Sequence, residues 1–183
     1  MELEHPYCKF VSKLESTNVQ KTYHDEIYGF PISSDNELFG TLILEINQAG
    51  LSWDVIMKKS DNFRDAYSNF DINTVAKYEK KDIERLMNNS GIVRNKLKIK
   101  AAIYNAQKII ELQEKYGSFK NWLLNNHPLL REEWVKLFKQ TFKFTGGEIT
   151  NEFLMSVSFL KGAHDENCSI YNKIIKTNPY WSQ

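Results

Sequence analysis

Two cysteines and two of the four histidines have spacings that suit a metal. His164 and Cys168 are four residues apart, so on a helical turn both side chains point to one side. Imidazole nitrogen and thiolate sulfur are the donors a tetrahedral zinc ion takes. Cys8 and His24 would complete a Cys2His2 set. Two alternatives stand beside this: ordinary buried thiols, or a His-x-x-x-Cys spacing that arose by chance. The sequence lacks the paired Cys-x-x-Cys pattern that marks zinc strongly. A Cys8–Cys168 disulfide is disfavoured in a reducing cytoplasm.

A carboxylate is the second candidate. Leu38, Leu42, Glu45 and Ala49 share one helical face, and Phe39, Ile43, Leu44 and Ile46 surround it with apolar positions. A charge there is costly unless it is paired or hydrogen-bonded, which marks Glu45 as functional or as a satisfied structural acid. Gly50 follows at a turn, Leu51 stands at its tip, and Trp53 offers a large π face. A carboxylate that bonds an edge and an indole that stacks on a face can hold an extruded nucleobase. The alternative for Trp53 is a core aromatic.

The third candidate is a run of one sign. Net charge is only +1, from 24 basic and 23 acidic residues, yet Arg94, Lys96, Lys98, Lys100 and Lys108 fall in a stretch without Asp or Glu. A solvated helix face is the common meaning of such a run. Just before it, Ser90-Gly91-Ile92-Val93 reads as a tight connection between two helices. Gly91 permits the positive φ of a sharp turn. The second helix would then offer free N–H groups to a phosphate, with Arg94, Lys96 and Lys98 beside them. A hairpin that only packs a core is the equal alternative.

The elements that must carry these groups are helical. Only 8 of 183 residues are Gly and 4 are Pro, which disfavours a fold of many short strands. Ser34-Asp35-Asn36-Glu37 reads as a capping box starting a helix to about Gln48. Further helices are expected over Ser52–Asn69, Lys81–Asn89, Ile99 to Tyr116, Phe119–Asn126, Arg131–Gln140 and Glu148–Leu160. Phe142–Thr145 reads as a short strand or extended connector. The fold class is all-α. The chain is expected to form one unit over 1–183, with a helical core at about 33–160. The terminal segments, about 1–30 and 161–183, have weak periodicity, so a metal would clip them where local propensity fails. Apolar residues at 42% and charged residues at 26% describe a soluble globule. No stretch is long enough to span a membrane, and the N-terminus lacks a secretion signal, so a cytoplasmic location is expected.

Together these residues resemble a known family. Tyr23-His24-Asp25-Glu26-x-x-Gly29 and Leu44-Glu45-x-x-Gln48-Ala49-Gly50-Leu51-Ser52-Trp53 resemble the N-terminal signatures of 3-methyladenine DNA glycosylase I. Ser90-Gly91-Ile92-Val93-Arg94-x-x-x-Lys98-Ile99 is similar to its helix-hairpin-helix. Phe142-Lys143-Phe144-Thr145-Gly146 and His164-x-x-x-Cys168 are similar to its later signatures. The likeness runs from Cys8 to Cys168 in one order.

The resemblance implies the helix-hairpin-helix glycosylase fold and one structural Zn2+ held by Cys8, His24, His164 and Cys168. It implies that Glu45 is catalytic, that Glu45, Tyr23 and Tyr28 contact the extruded base, and that Trp53 stacks on it. Leu51, beside Gly50, would fill the gap in the duplex, and Gly91, Ile92, Arg94, Lys96 and Lys98 would grip the backbone. The implied partner is double-stranded DNA containing alkylated adenine, with free 3-methyladenine as product, no membrane, and a monomeric enzyme without strand cleavage. The family usually has Trp where Tyr28 stands, Tyr near Gln20, and Gly-Pro-Thr where Gly146-Gly147-Glu148 stands. Those departures bear on base selectivity. They leave room for a homologue that senses damage without turnover, or for another alkylated base. A zinc-clipped interaction domain without nucleic acid is the third reading.

Overall fold

The computed structural model describes residues 3–183. Among these residues there are helices and turns but no strand. In chain order the α-helices are α1 (Pro6–Val11), α2 (Val19–Glu26), α3 (Asp35–Gln48), α4 (Trp53–Met57), α5 (Ser60–Ala66), α6 (Ile72–Val75) and α7 (Lys80–Asn88). They continue as α8 (Lys96–Tyr116), α9 (Phe119–Asn126), α10 (Arg131–Thr141), α11 (Gly147–Ser156) and α12 (Tyr171–Lys176). No helix is long and apolar enough to cross a membrane. The chain forms two compact units, one from residues up to Ile32 together with Asn151–Gln183, the other from Ser33–Thr150.

In the Ser33–Thr150 unit the apolar stripes do what their period dictates. Leu38, Phe39, Leu42, Ile43 and Ile46 of α3 and Ile99, Ala102, Ala106 and Ile109 of α8 are buried, as are Phe119 and Leu123 of α9 and Trp134 and Phe138 of α10. Gly117 ends α8 in the left-handed conformation, with φ of 84°. The Asp35 carboxylate accepts from the backbone N–H of Phe119 (2.7 Å) and of Lys120 (3.0 Å), and so satisfies the start of α9 from the start of α3.

Two local expectations are corrected, and one left open between two readings is decided. The capping box is only half made: Ser34 Oγ lies 3.5 Å from the Glu37 N–H, and the Glu37 carboxylate instead accepts two bonds from Arg64, at 2.9 and 2.8 Å. A bidentate guanidinium outcompetes a single backbone amide. The expected Ser52–Asn69 helix is broken into α4 and α5 around Lys58 and Lys59. It then stops at Ala66, because Ser68, Asn69 and Phe70 take φ of 53°, 56° and 59°. That left-handed turn drives the Phe70 ring against Gly40, where a Cβ would sit 2.4 Å from the ring. Phe142–Thr145 is a connector, not a strand. Asn105, fully buried, pairs with both backbone groups of Lys143 at 3.1 and 2.8 Å, as a neighbouring strand would.

The unit holding both termini has shorter helices. One apolar cluster in it is Cys8, Cys168, Ile170 and Ile174, with Leu3, Phe30, Tyr171 and Trp181 packed on it, and Val11, Phe153, Leu154, Val157 and Phe159 are also fully buried there. Gly29 takes φ of +83°, and its N–H donates to the Ser156 carbonyl at 2.9 Å. A Cβ there would lie 2.8 Å from Ala163 Cβ, so only glycine permits that approach. Asp165 accepts from the His5 N–H at 3.0 Å and the Asn167 N–H at 2.9 Å, tying the two ends of the chain.

Candidate functional site

Cys8, His24, His164 and Cys168 are all buried, and their donor atoms lie within 4.8 Å of one another. Cys8 comes from α1, His24 from α2, and His164 and Cys168 from the loop before α12. His24 Nε2 is 3.4 Å from Cys8 Sγ and 3.9 Å from Cys168 Sγ. His164 Nδ1 is 3.8 Å from both sulfurs. A tetrahedral ion with metal–sulfur bonds of about 2.3 Å and metal–nitrogen bonds of about 2.0 Å sets its donors roughly 3.3–3.8 Å apart, which these separations match closely. Both cysteines are free thiols.

The ring orientations are fixed from behind. His24 Nδ1 donates to Asp25 Oδ1 at 2.7 Å, and His164 Nε2 donates to the Tyr28 carbonyl at 2.7 Å. Each imidazole therefore turns its lone pair toward the sulfurs, the arrangement metal-ligating histidines use. Burial pushes His164 down to about 4 and lowers His24, so both are neutral at pH 7. Burial also pushes the Cys8 thiol up to about 12. Such a thiol ionises against a bound cation, and neutral nitrogens with ionisable sulfurs fit a divalent metal. Asp25 and the Tyr28 carbonyl were not anticipated. Asp25 had a signal in its adjacency to His24, whereas a carbonyl has none.

Tyr28 lies beside this cluster, and Tyr23 lies beside Tyr28. Tyr28 is 5.5 Å from the His164 ring and 5.7 Å from Tyr23, centroid to centroid, and its hydroxyl donates to Glu152 Oε2 at 3.2 Å. The hydrogen bond that orients His164 thus also ties down the backbone from which Tyr28 projects.

Glu45 belongs to the Ser33–Thr150 unit. It is 3% exposed near the C-terminal end of α3. Gly50 follows with φ of +85° and nothing within 4 Å of an added Cβ, so the turn is open and glycine supplies the conformation. Leu51 is 42% exposed at the tip, and half-buried Trp53 begins α4. An aliphatic tip between a buried carboxylate and an indole is suited to enter an apolar gap.

The hairpin between α7 and α8 differs in detail from the expectation. Gly91 does not adopt positive φ. Its surroundings are tight instead: a Cβ would meet Asn89 Oδ1 at 3.0 Å and Asn62 at 3.1 Å. The first amides of α8 are partly engaged: Asn95 Oδ1 accepts from Leu97 N at 3.0 Å and Lys98 N at 3.2 Å. Arg94 and Lys96 are exposed, as is Lys100. The Ile92 side chain is buried, which leaves only its backbone for contact. Lys98 is a correction. It is 5% exposed, and its ammonium donates to the carbonyls of Asn47 (3.0 Å) and Ala49 (2.8 Å), so it cannot serve a phosphate.

Comparison with known proteins bears on the fold and the family. DNA-3-methyladenine glycosylase 1 of Escherichia coli (strain K12) is 30% identical over 168 residues, covering 81% of this chain and 89% of that protein. The DNA-3-methyladenine glycosylase of Haemophilus influenzae is 33% identical over 113 residues, 60% of this chain and 61% of that one. A crystal structure of 3-methyladenine DNA glycosylase I superimposes with a TM-score of 0.76 at 28% identity, covering 86% of this chain and 96% of that one. A structure describing 3-methyladenine recognition by the Staphylococcus aureus enzyme gives 0.76 at 30% identity, over 85% and 93%. The methyladenine glycosylase family model matches residues 13–136, more than half of the sequence, and with these relatives it establishes that the chain belongs to that family.

Proposed function

We propose that this chain is a monofunctional DNA glycosylase that releases 3-methyladenine from alkylated double-stranded DNA. The observation that carries the reading is a buried carboxylate, Glu45, followed six and eight residues later by an exposed Leu51 and a half-buried Trp53. Adenine alkylated at N3 is cationic while attached to the sugar, so it is a good leaving group and needs little acid catalysis. Glu45 favours the cationic base over neutral adenine, since charges attract most strongly where water is excluded. Trp53 adds a cation–π contribution of about 1–2 kcal/mol once its face is dry. Leu51 occupies the space the base vacates, and a damaged pair costs less to open. The C1′–N9 bond breaks with its electron pair leaving on the base, and water bonds to C1′ and gives up a proton. Tyr23 joins the base contacts on the strength of the motif resemblance, and Tyr28 joins them by occupying the position where the family usually has Trp. Gly91, the Ile92 backbone, Arg94 and Lys96 grip phosphates without reading sequence.

The buried Cys8, His24, His164 and Cys168 are proposed to hold one Zn2+. With four protein ligands the ion supplies folding energy and has no open position for catalysis. Support comes from the two imidazoles, each already oriented by a second partner.

The test is a base-release assay on methylated duplex DNA. Wild-type protein should liberate 3-methyladenine, and Glu45→Gln should slow release on the order of 100-fold, as loss of one well-placed charged group does. Full activity in that variant removes the role given to Glu45.

A further inference from the structure

Two lysines inside the Ser33–Thr150 unit do an unusual thing. Lys98, on α8, sends a buried ammonium to the carbonyls of Asn47 and Ala49, immediately before the Gly50–Leu51 turn. Lys59, in the junction after α4, sends its ammonium to the carbonyls of Ser90 (3.0 Å) and Gly91 (3.2 Å), in the hairpin. The hairpin therefore holds the turn, and the segment after the turn holds the hairpin. Each ammonium caps two carbonyls, and charge-assisted bonds are the stronger kind. Lys98 is placed where α3 ends and its last carbonyls lack helical partners. A long side chain at 5% exposure with its cation bonded to backbone is costly to install for packing alone, because leucine or methionine would fill the space without desolvating a charge.

We propose that Lys98 is a positioning residue that, aided by Lys59, locks the Leu51 tip to the hairpin, so that seizing the backbone and inserting the tip become one rigid motion. This rests on the glycosylase reading for its consequence but not for its structural content. Neither lysine touches the base. Each acts through the backbone it caps: Lys98 through the turn that ends in Leu51 and leads to Trp53, and Lys59 through the hairpin. Without the Lys98 tie, the hairpin still binds phosphate, but the open glycine turn at Gly50 lets the tip wander. Binding then survives while base opening slows.

The experiment is a double-mutant cycle of Lys98→Met with Leu51→Ala, read as single-turnover release of 3-methyladenine and as affinity for undamaged duplex. The expected result is at least a tenfold slower release for Lys98→Met in the Leu51 background and less than a threefold effect in the Leu51→Ala background, with duplex affinity changed less than threefold. Equal slowing in both backgrounds makes Lys98 merely structural and overturns the proposal, as does unchanged release. Lys98→Arg, which keeps the donors, should recover part of the rate. Should Lys98→Met fail to fold, the half-buried Lys59→Met enters the same cycle, with a three- to tenfold slowing expected and the same criterion. Hydrogen exchange separates this proposal from the enzymatic one. The Leu51 amide, which donates to the Gln48 carbonyl at 2.7 Å, should exchange at least tenfold faster in Lys98→Met. If wild-type protein releases no base, the glycosylase reading falls and the exchange rate alone decides the tether; an unchanged rate ends it.

Discussion

The two units of this chain are stabilised by different physics. In Ser33–Thr150, helices of 14, 21 and 11 residues present continuous apolar stripes, and the core is Leu, Ile, Phe and Trp at or near zero exposure. In the unit that holds the termini, α1, α2 and α12 have 6, 8 and 6 residues, too short to persist alone. Its apolar cluster includes both cysteines, and polar tethers supplement it: Asp165 on the backbone near residue 5, His164 on the Tyr28 carbonyl, His24 on Asp25. One unit is held almost wholly by area removed from water; the other adds directional groups to a smaller apolar core that includes Val11, Phe153, Leu154, Val157 and Phe159. Directional groups fail one at a time and completely, whereas an apolar core loses a little for each atom removed.

The largest expected effect breaks the comparison at the donor set. Cys168→Ser, or removal of metal by a chelator, should cost several kcal/mol, since binding energy at a structural zinc site is folding energy. Metal analysis should find about one zinc per wild-type chain. Hydrogen exchange should quicken across residues 3–32 and 157–183, while amides of α3, α8 and α9 keep their protection. A protein that is equally stable without metal would remove the claim that the terminal unit depends on it.

The middle effect tests the packed unit. Gly40→Ala places a Cβ 2.4 Å from the Phe70 ring, and Phe70 is 2% exposed in a left-handed backbone segment that gives it little freedom to retreat. Overpacking of this kind costs about 1–3 kcal/mol, so the melting temperature should fall by roughly 5 °C. Gly146→Ala, with nothing within 4 Å, is the control and should barely move it. Equal melting of the two variants would mean the ring yields freely and the unit is less tightly packed than its burial implies.

What the sequence made legible follows the same division. Phe119–Asn126 was expected and observed with the same limits, because Gly117 and Ser118 precede it and its apolar positions repeat at helical spacing. The metal donor set was legible as a spacing and a motif, but Asp25 and the Tyr28 carbonyl, which orient the rings, were not, since second partners carry little or no pattern. Glu45 stood out because a carboxylate interrupts an apolar stripe. Lys98 was misjudged for the opposite reason: a lysine in a basic run has no local mark of burial, and only the fold brings the end of α3 to its ammonium. The stop after α5 escaped as well, because Ser68-Asn69-Phe70 contains no glycine to announce positive φ.

The smallest effect sharpens the comparison by asking what a polar tether contributes inside the apolar unit. Glu37 and Arg64 form a bidentate pair, but their side chains are 45% and 41% exposed, so solvent screens them and the pair contributes only about 0.5 kcal/mol. The Arg64 guanidinium holds the Glu37 carboxyl below its ordinary 4.5. A depressed folded-state value means the contribution is complete above the unfolded value and fades as pH falls through the folded one. Denaturant melts of wild type and Glu37→Gln should therefore differ by about that amount at pH 7, converge as pH drops below the carboxylate range, and converge also as salt rises. Ser34→Ala should cost only a few tenths of a kcal/mol beside it, because its 3.5 Å cap bond is long and the carboxylate has gone to the arginine. A difference that stays constant with pH would show that Glu37 acts through packing or as a helix cap, and that the charge pair is incidental.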